Sequence, residues 1–94
     1  LPQEDEVKAV SWGEVVYNDK LRGFGQVIII YHGQELYSLY AFLSQTLVQT
    51  GQKVEQGEAI GQAGFYPQAQ GPGMYFELRR KKSPVDPRSW LAKR

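Results

Sequence analysis

QVIIIYHGQELYSLYAF, residues 26–42, is the stretch that decides the fold. Its first part, Gln26 to Tyr31, contains four consecutive β-branched residues, a run typical of a central strand that is buried on both faces. The next four residues, His32-Gly33-Gln34-Glu35, have the composition of a hairpin turn. Leu36 to Phe42 then alternates with period two, so the whole stretch predicts an antiparallel hairpin.

The alternation also assigns the second strand's side chains to two faces of the sheet. One face receives Leu36, Ser38, Tyr40 and Phe42, and the other receives Tyr37, Leu39 and Ala41. We therefore expect Tyr40 and Phe42 to lie on the same side.

Further short strands and turns surround this hairpin. Val7 to Val10 and Gly13 to Tyr17 predict two strands, and Asn18 to Gly23 predicts a polar turn. Two glycines six apart in GQKVEQGEAIG, residues 51–61, indicate a tight β-turn. Strands so close together, joined by turns, predict an antiparallel all-β fold.

Two later segments complete the secondary structure. Gly64 to Gly73 contains two prolines and is predicted to be a flexible loop. Asp86 to Leu91 is predicted to form a short helical turn, because Asp86 suits the N-cap and Pro87 the first helical position.

Composition excludes several classes of function. The 94 residues suit one small domain, and the absence of cysteine excludes disulfides and thiolate metal sites. No apolar stretch approaches the ~20 residues that span a bilayer. Net charge is only +1, but residues 79–94 contain seven Lys or Arg and one Asp. A basic C-terminal segment of this kind is typical either of a site for an acidic partner or of a turn and tail that are simply exposed to solvent.

Five segments, in chain order, resemble LytM-type (lysostaphin-like) cell-wall endopeptidases. They are Ile30 to Gly33, Leu39 to Ser44, Gly51 to Gly61, Tyr75 to Arg79, and Pro84 to Leu91. The resemblance implies an antiparallel β-sandwich of the lysostaphin-like, barrel-sandwich hybrid type, with a short C-terminal helical turn. It places a flexible end at residues 1–6, the domain at 7–91 and a basic tail at 92–94.

The positions that carry chemistry in that family are altered in this chain. The family's Tyr-Ala-His-Leu-Ser and His-Leu-His-Phe-Glu motifs supply three histidines for metal ligation and catalysis. The matching residues here are Phe42, Gly73 and Tyr75. The first two offer no ligand atom and a phenol is a poor substitute for imidazole, so we expect a domain that is not an enzyme and holds no cofactor.

The family's other two zinc ligands, a His and an Asp, belong to an N-terminal segment. No histidine precedes His32 in this chain. The resemblance therefore implies that this segment is either absent from the domain or too diverged to see.

A closer likeness is carried by Leu21 to Gly25 and by Tyr75 to Arg80, which are most similar to the degenerate domains of EnvC/NlpD-type murein hydrolase activators. The resemblance implies a periplasmic protein of the Gram-negative cell envelope. Its partner would be a zinc amidase, an N-acetylmuramyl-L-alanine amidase that splits the cell wall when daughter cells separate. Peptidoglycan is a further expected partner, and nucleic acid is not.

The expected binding surface is the groove of the former active site. The residues predicted to line it are Phe24, Val27, Tyr40, Phe42, Tyr75 and Arg79. Period two puts Tyr75, Glu77 and Arg79 on one strand face. The guanidinium of Arg79 is predicted to hold a carboxylate of the partner, or else to pair internally with Glu77 or Glu58.

Other interpretations of these residues stay open. The domain could be a peptidoglycan-binding anchor module without an activator role. Tyr40, Phe42 and Tyr75 could be ordinary core aromatics. His32, the sole histidine, is expected to be structural, and Trp12 and Trp90 to pack the ends of the sandwich.

Overall fold

The computed structural model describes residues 6–80, which form eight strands and one short 3₁₀ helix. The strands are β1 Glu6–Lys8, β2 Gly13–Leu21, β3 Gly25–Tyr31, β4 Leu36–Thr46, β5 Lys53–Val54, β6 Ala59–Tyr66, β7 Gly71–Gly73 and β8 Tyr75–Arg80, and the 3₁₀ helix is Pro67–Ala69. The predicted helical turn, Trp90 and the basic tail lie outside the described residues. Residues 6–80 contain no helix that is long and apolar enough to cross a membrane.

Every strand pairing is antiparallel, as the sequence predicted. The order across the sheet is β1-β6-β4-β3-β2-β5, with β8 paired to β4 and β7 paired to β6. The result is a strongly curled sheet. The predicted turn at His32–Glu35 joins β3 to β4, and the N–H of His32 donates to the carbonyl of Leu36 at 2.8 Å.

Two predicted element boundaries differ from those in the structure. β2 continues through Leu21, so most of the polar segment that begins at Asn18 is strand and the turn covers residues 22–24. Polar residues are accommodated in this strand because the amide of Asn18 donates to the carbonyl of Val48 at 2.7 Å and accepts from Gln26 at 2.9 Å. β1 ends at Lys8 rather than at Val10.

The prediction of a flexible loop at residues 64–73 is wrong. β6 runs to Tyr66, the 3₁₀ helix follows, and β7 returns antiparallel with Gly73 opposite Gly64. Gln70 adopts the left-handed conformation (φ 55°) and its N–H bonds the carbonyl of Pro67, which closes the turn. The segment is therefore an ordered hairpin.

The sheet has an apolar cluster on each face. The inner cluster is built on Ile28, Ile30, Tyr40, Leu43 and Ile60, and the outer cluster on Val27, Ile29, Leu39 and Ala41. Residues 27–30 are all fully buried, which confirms that β3 is a central strand with both faces covered. Burying so many branched side chains supplies most of the stability that a domain of this size can gain.

β4 changes partner at Phe42. Its residues up to Ala41 pair with β8, and those from Leu43 onward pair with β6. Phe42 has a positive φ of 64°, which interrupts the alternation of side chains. Tyr40 and Leu43 consequently point into the inner cluster, while Phe42 packs with the outer one. The prediction that Tyr40 and Phe42 share a face is therefore wrong.

A buried chain of hydrogen bonds ties the segment before β2 to the sheet. His32 Nδ1 lies 2.7 Å from the carbonyl oxygen of Trp12, and Nε2 lies 2.7 Å from Ser38 Oγ. Because a carbonyl oxygen can only accept, Nδ1 carries the proton. The hydroxyls of Ser38 and Tyr40 are 2.9 Å apart, and the N–H of Val10 donates to the Tyr40 oxygen at 3.2 Å. The predicted structural role of His32 is confirmed.

Candidate partner-binding groove

The outer cluster lies across four adjacent strands, β2, β3, β4 and β8, and this face is where the sequence analysis expects the partner-binding groove. Its four floor residues, Val27, Ile29, Leu39 and Ala41, have no exposed surface. Six half-buried side chains cover and border this floor, namely Tyr17, Leu21, Phe24, Tyr37, Phe42 and Tyr75. The groove surface is thus apolar and mainly aromatic.

The dimensions of this face suit a helix. Three interstrand spacings of ~4.8 Å give a width of about 14 Å, and seven residues of β3 give a length of about 20 Å. An α-helix with its side chains is ~10–12 Å wide. A face of this size therefore accommodates three to four turns of one helix.

One end of this face carries aromatic rings that pack against Phe42. The ring centroid of Phe42 lies 5.8 Å from that of Phe24 and 5.3 Å from that of Tyr66, both in tilted arrangements that aromatic pairs prefer. The N–H of Phe42 donates to the carbonyl of Phe24 at 2.8 Å, which fixes the two backbones together. The rings are therefore held on a rigid corner.

The β8 side of the groove carries a hydrogen-bonded polar group. The Tyr75 hydroxyl donates to Glu77 Oε1 at 2.8 Å, and the guanidinium of Arg79 pairs with Glu77 Oε2. These three side chains share a face, as predicted from period two, and the internal Arg79–Glu77 pair is the second of the two expected roles. Arg80 points the other way and donates to the carbonyl of Gln34 at 2.7 Å.

Tyr40 does not line the groove. Its side chain belongs to the inner cluster, is only 1% exposed, and its ring contacts Phe76 at 5.3 Å. Burial raises the pKa of its phenol, although bonds to Ser38 and Val10 act in the opposite direction. A side chain this deep cannot contact a partner, so its expected place in the groove is a wrong prediction. Val27 is buried as deeply as Tyr40, so among the residues predicted to line the groove only Phe24, Phe42, Tyr75 and Arg79 keep exposed surface.

Residues 1–87 match the profile of peptidase family M23. The chain belongs to this family. Among relatives, it is 38% identical over 88 residues to "Murein hydrolase activator EnvC" of Escherichia coli (strain K12), covering 94% of this chain and 21% of that protein. It is also 38% identical over 89 residues to "Lipoprotein NlpD/LppB homolog" of Pseudomonas aeruginosa, covering 94% of this chain and 30% of the relative.

A solved structure has the same fold as this chain. The catalytic domain of lysostaphin from Staphylococcus simulans superposes with a TM-score of 0.75 at 24% identity, over 94% of this chain and 71% of that chain. This likeness shows the fold alone, and it confirms the lysostaphin-like architecture that the sequence predicted. The M23 chain spans only a fifth to a third of the two relatives named above.

The zinc ion implied by the M23 fold does not fit the residues that stand here. Phe42 is packed between two rings, and Tyr75 is engaged by Glu77. At Gly73 a Cβ would lie 3.2 Å from the Cβ of Tyr66, so a side chain there would require Tyr66 to shift by a few tenths of an ångström. Among residues 6–80 no group of three or more His, Cys, Asp or Glu side chains could hold a metal ion.

Several groove residues escaped the sequence analysis of this M23 domain. Tyr37 was detectable, because it alternates with Leu39 and Ala41 on the outer face. No pattern in the sequence indicated that Tyr66 lies at the groove, because its position depends on a hairpin that the sequence did not predict. Tyr17 was assigned to a strand, but nothing in its own segment indicates which face it covers.

Proposed function

We propose that this chain is a non-catalytic M23 domain that activates a cell-wall zinc amidase, an N-acetylmuramyl-L-alanine amidase, in the periplasm of a Gram-negative bacterium. The similarity to a murein hydrolase activator over 94% of the chain supports the activator role. The altered residues 42, 73 and 75 support the absence of hydrolysis by the domain itself.

The observation that carries the proposal is the aromatic surface at the place of the former metal site. Phe24, Phe42 and Tyr75 are large, stiff side chains that lie half-buried over an apolar floor. Such residues supply much of the binding energy at protein interfaces, because they bury a large area while losing little rotamer freedom. An amphipathic helix laid in an apolar groove is an established recognition mode.

Electrostatics define the kind of helix that would fit. The guanidinium of Arg79 is oriented by Glu77, which also accepts the hydroxyl of Tyr75. A planar guanidinium can hold a carboxylate with two parallel hydrogen bonds, a geometry that lysine cannot copy. The proposed partner segment therefore combines an apolar face with an acidic residue opposite Arg79.

Activation follows from differential binding. If the amidase alternates between a form in which an inhibitory helix covers its zinc and a form in which that helix has left, the domain shifts the balance by preferring the second form. The extent of activation is limited by the difference between its affinities for the two forms.

The test combines binding and activation in purified components. The chain is titrated into a cognate amidase while the release of dye from labelled peptidoglycan is followed. We expect the wild-type chain to increase the rate and Tyr75→Ala to lose most of that increase. Phe65→Ala is the matched control, because Phe65 is 65% exposed and its neighbour Tyr66, not Phe65 itself, faces the groove.

The alternative function, an anchor that binds peptidoglycan without activating an amidase, makes a different prediction. An anchor would sediment with insoluble peptidoglycan and leave the amidase rate unchanged at every concentration. That result, with a correctly folded chain, would overturn the activator proposal.

A further inference from the structure

The connection between β1 and β2, residues 9–12, begins with an attachment that involves backbone groups only. The N–H of Ala9 donates to the carbonyl of Glu58, and the N–H of Gly57 donates to the carbonyl of Ala9, both at 2.9 Å. Because backbone amides do not titrate, a change of pH has no direct effect on these two bonds.

The next three residues are attached through side chains instead. The N–H of Val10 donates to the hydroxyl oxygen of Tyr40 at 3.2 Å, and the carbonyl of Trp12 accepts the Nδ1 proton of His32 at 2.7 Å. The side chain of Val10 is 42% exposed and that of Trp12 is 63% exposed, contrary to the expectation that Trp12 packs an end of the sandwich. Apolar packing therefore adds little to these two bonds.

When the imidazole of His32 is neutral, every hydrogen of the buried hydrogen-bond chain has one acceptor. Nε2 then carries no proton and accepts from the hydroxyl of Ser38 at 2.7 Å. Ser38 has a single hydroxyl hydrogen, so its 2.9 Å contact with Tyr40 is donated by the Tyr40 hydroxyl. All donors consequently point in one direction, from Val10 toward the carbonyl of Trp12.

A second proton on His32 disrupts this order. Both ring nitrogens of an imidazolium are donors, so the oxygen of Ser38 has to accept from Nε2. The hydroxyls of Ser38 and Tyr40 then have two hydrogens but only one contact with each other, and one hydrogen has no acceptor in the chain. Because Ser38 is fully buried and Tyr40 is 1% exposed, water does not replace the missing acceptor.

No ion pair compensates the additional charge in residues 6–80, because the ion pairs found there do not include His32. The charged side chains on the surrounding elements are all exposed to solvent, and the other titratable groups are tyrosines. These side chains are Glu14 on β2, Lys53 on β5, Glu35 in the turn, Arg80 on β8, Tyr31 on β3, and Tyr37 and Tyr40 on β4. The imidazolium is therefore better solvated when His32 leaves the chain and reaches water.

We infer that His32 is an acid-sensitive switch, which holds residues 10–12 against the sheet while it is neutral and releases them when it is protonated. The released form binds the second proton more readily than the attached form, so acidification increases its population. Histidine is the side chain whose charge ordinarily changes between about pH 5 and 8. The inference goes beyond the proposed function, because Tyr40 belongs to the inner cluster and the groove lies on the outer one.

Amide hydrogen exchange of the 94-residue chain, followed by NMR and corrected for the intrinsic effect of pH, tests this switch. The amides of Val10 and Ala9 are compared in one sample, because the first bonds Tyr40 and the second bonds the backbone of Glu58. Between about pH 7.5 and about pH 5, the protection of Val10 should fall about tenfold. That of Ala9 should change less than about twofold.

His32→Gln is the matched variant, because the glutamine amide can donate to the carbonyl of Trp12 and accept from Ser38 without titrating. In this variant the protection of Val10 should not depend on pH. If the variant does not fold, the comparison of Val10 with Ala9 in the wild type decides alone. Equal pH responses of the two amides, or unchanged protection of Val10, would contradict the inference. So would a folded His32→Gln variant that responds to pH like the wild type.

Discussion

Gly64 lies directly against the backbone of Phe42: a Cβ on Gly64 would stand 2.7 Å from the Phe42 carbonyl oxygen and 3.0 Å from the amide nitrogen of Ser44. This close approach is made where β4 leaves β8 and begins to pair with β6. The positive φ of Phe42 at the same point turns its ring toward the groove. The shape of the candidate site therefore depends on a glycine that is not part of it.

Gly64→Ala should destabilise the domain by about 2–3 kcal/mol, because the added methyl group meets backbone atoms that cannot move aside cheaply. Gly71→Ala is the matched control on the partner strand. A Cβ there would be 3.9 Å from its nearest neighbour, so we expect a change within about 0.5 kcal/mol. Urea denaturation measures both, and equal costs would show that the corner tolerates the extra methyl group.

The purified chain should hold no stoichiometric zinc, because a phenyl ring, a glycine and a phenol engaged by Glu77 stand at the former histidine positions. Elemental analysis after addition of excess zinc and dialysis against metal-free buffer measures this. We expect far less than one zinc per chain and a melting temperature that chelators do not change. One tightly held zinc ion per chain would refute the proposed loss of the metal site.

Tyr75→Ala and Arg79→Ala should each weaken binding of the amidase by ~1–3 kcal/mol while the domain stays folded. Both side chains stand at the β8 border of the groove, joined through Glu77. Calorimetric titration with the amidase measures the affinity, and circular dichroism checks folding. Wild-type affinity in both folded variants would exclude this surface as the binding site.

Arg79→Lys should impair amidase activation far more than Arg80→Lys. Lysine keeps the charge but loses the planar pair of donors, whereas Arg80 is exposed, lies on the opposite face and donates to the backbone carbonyl of Gln34. Activation and melting temperature are measured on the same samples. If the loss of stability fully explains the lost activation, Arg79 is an internal staple of β8 and does not dock the partner.

The stability of the domain should fall at alkaline pH because of Tyr40. Burial raises the pKa of its phenol above the ordinary value of 10.0, so above that pH the unfolded chain loses a proton that the folded chain retains. The contribution of the protonated Tyr40 phenol to the free energy of unfolding is complete below about pH 10. It declines as the pH rises toward and through the pKa that this phenol has in the folded state. Tyr37, whose pKa is raised by burial and by the charges of Tyr31 and Glu35, adds to the effect.

The Tyr40→Phe variant separates the contribution of this phenol to the pH dependence from the contributions of other groups. The variant should lose about 1–2 kcal/mol near neutral pH, because it gives up bonds to Ser38 and Val10. Between pH 9 and 11, however, its free energy of unfolding should decline less steeply than that of the wild type. Parallel declines in the two proteins would assign the alkaline loss to other groups.

The sequence by itself determined the antiparallel all-β fold, the central buried strand and the turn at residues 32–35. These features depend on local rules: β-branched runs favour pleated, buried strands, and a glycine with polar neighbours favours a turn. Residue identity alone also established that positions 42 and 73 have no side-chain ligand atom, because no conformation gives phenylalanine or glycine a metal-binding group.

Only the tertiary structure decided which side chains form the candidate site. Period-two alternation assumes an uninterrupted strand, and the positive φ of Phe42 breaks it, so Tyr40 is buried in the interior while Phe42 reaches the groove. That conformation is stabilised by Phe24 and by the close packing of Gly64, each about 20 residues away along the chain. Contacts between segments so far apart in the chain produce no periodic pattern in the local sequence, so the sequence does not predict them. The hydrogen bond between His32 and Trp12 is another contact of this kind.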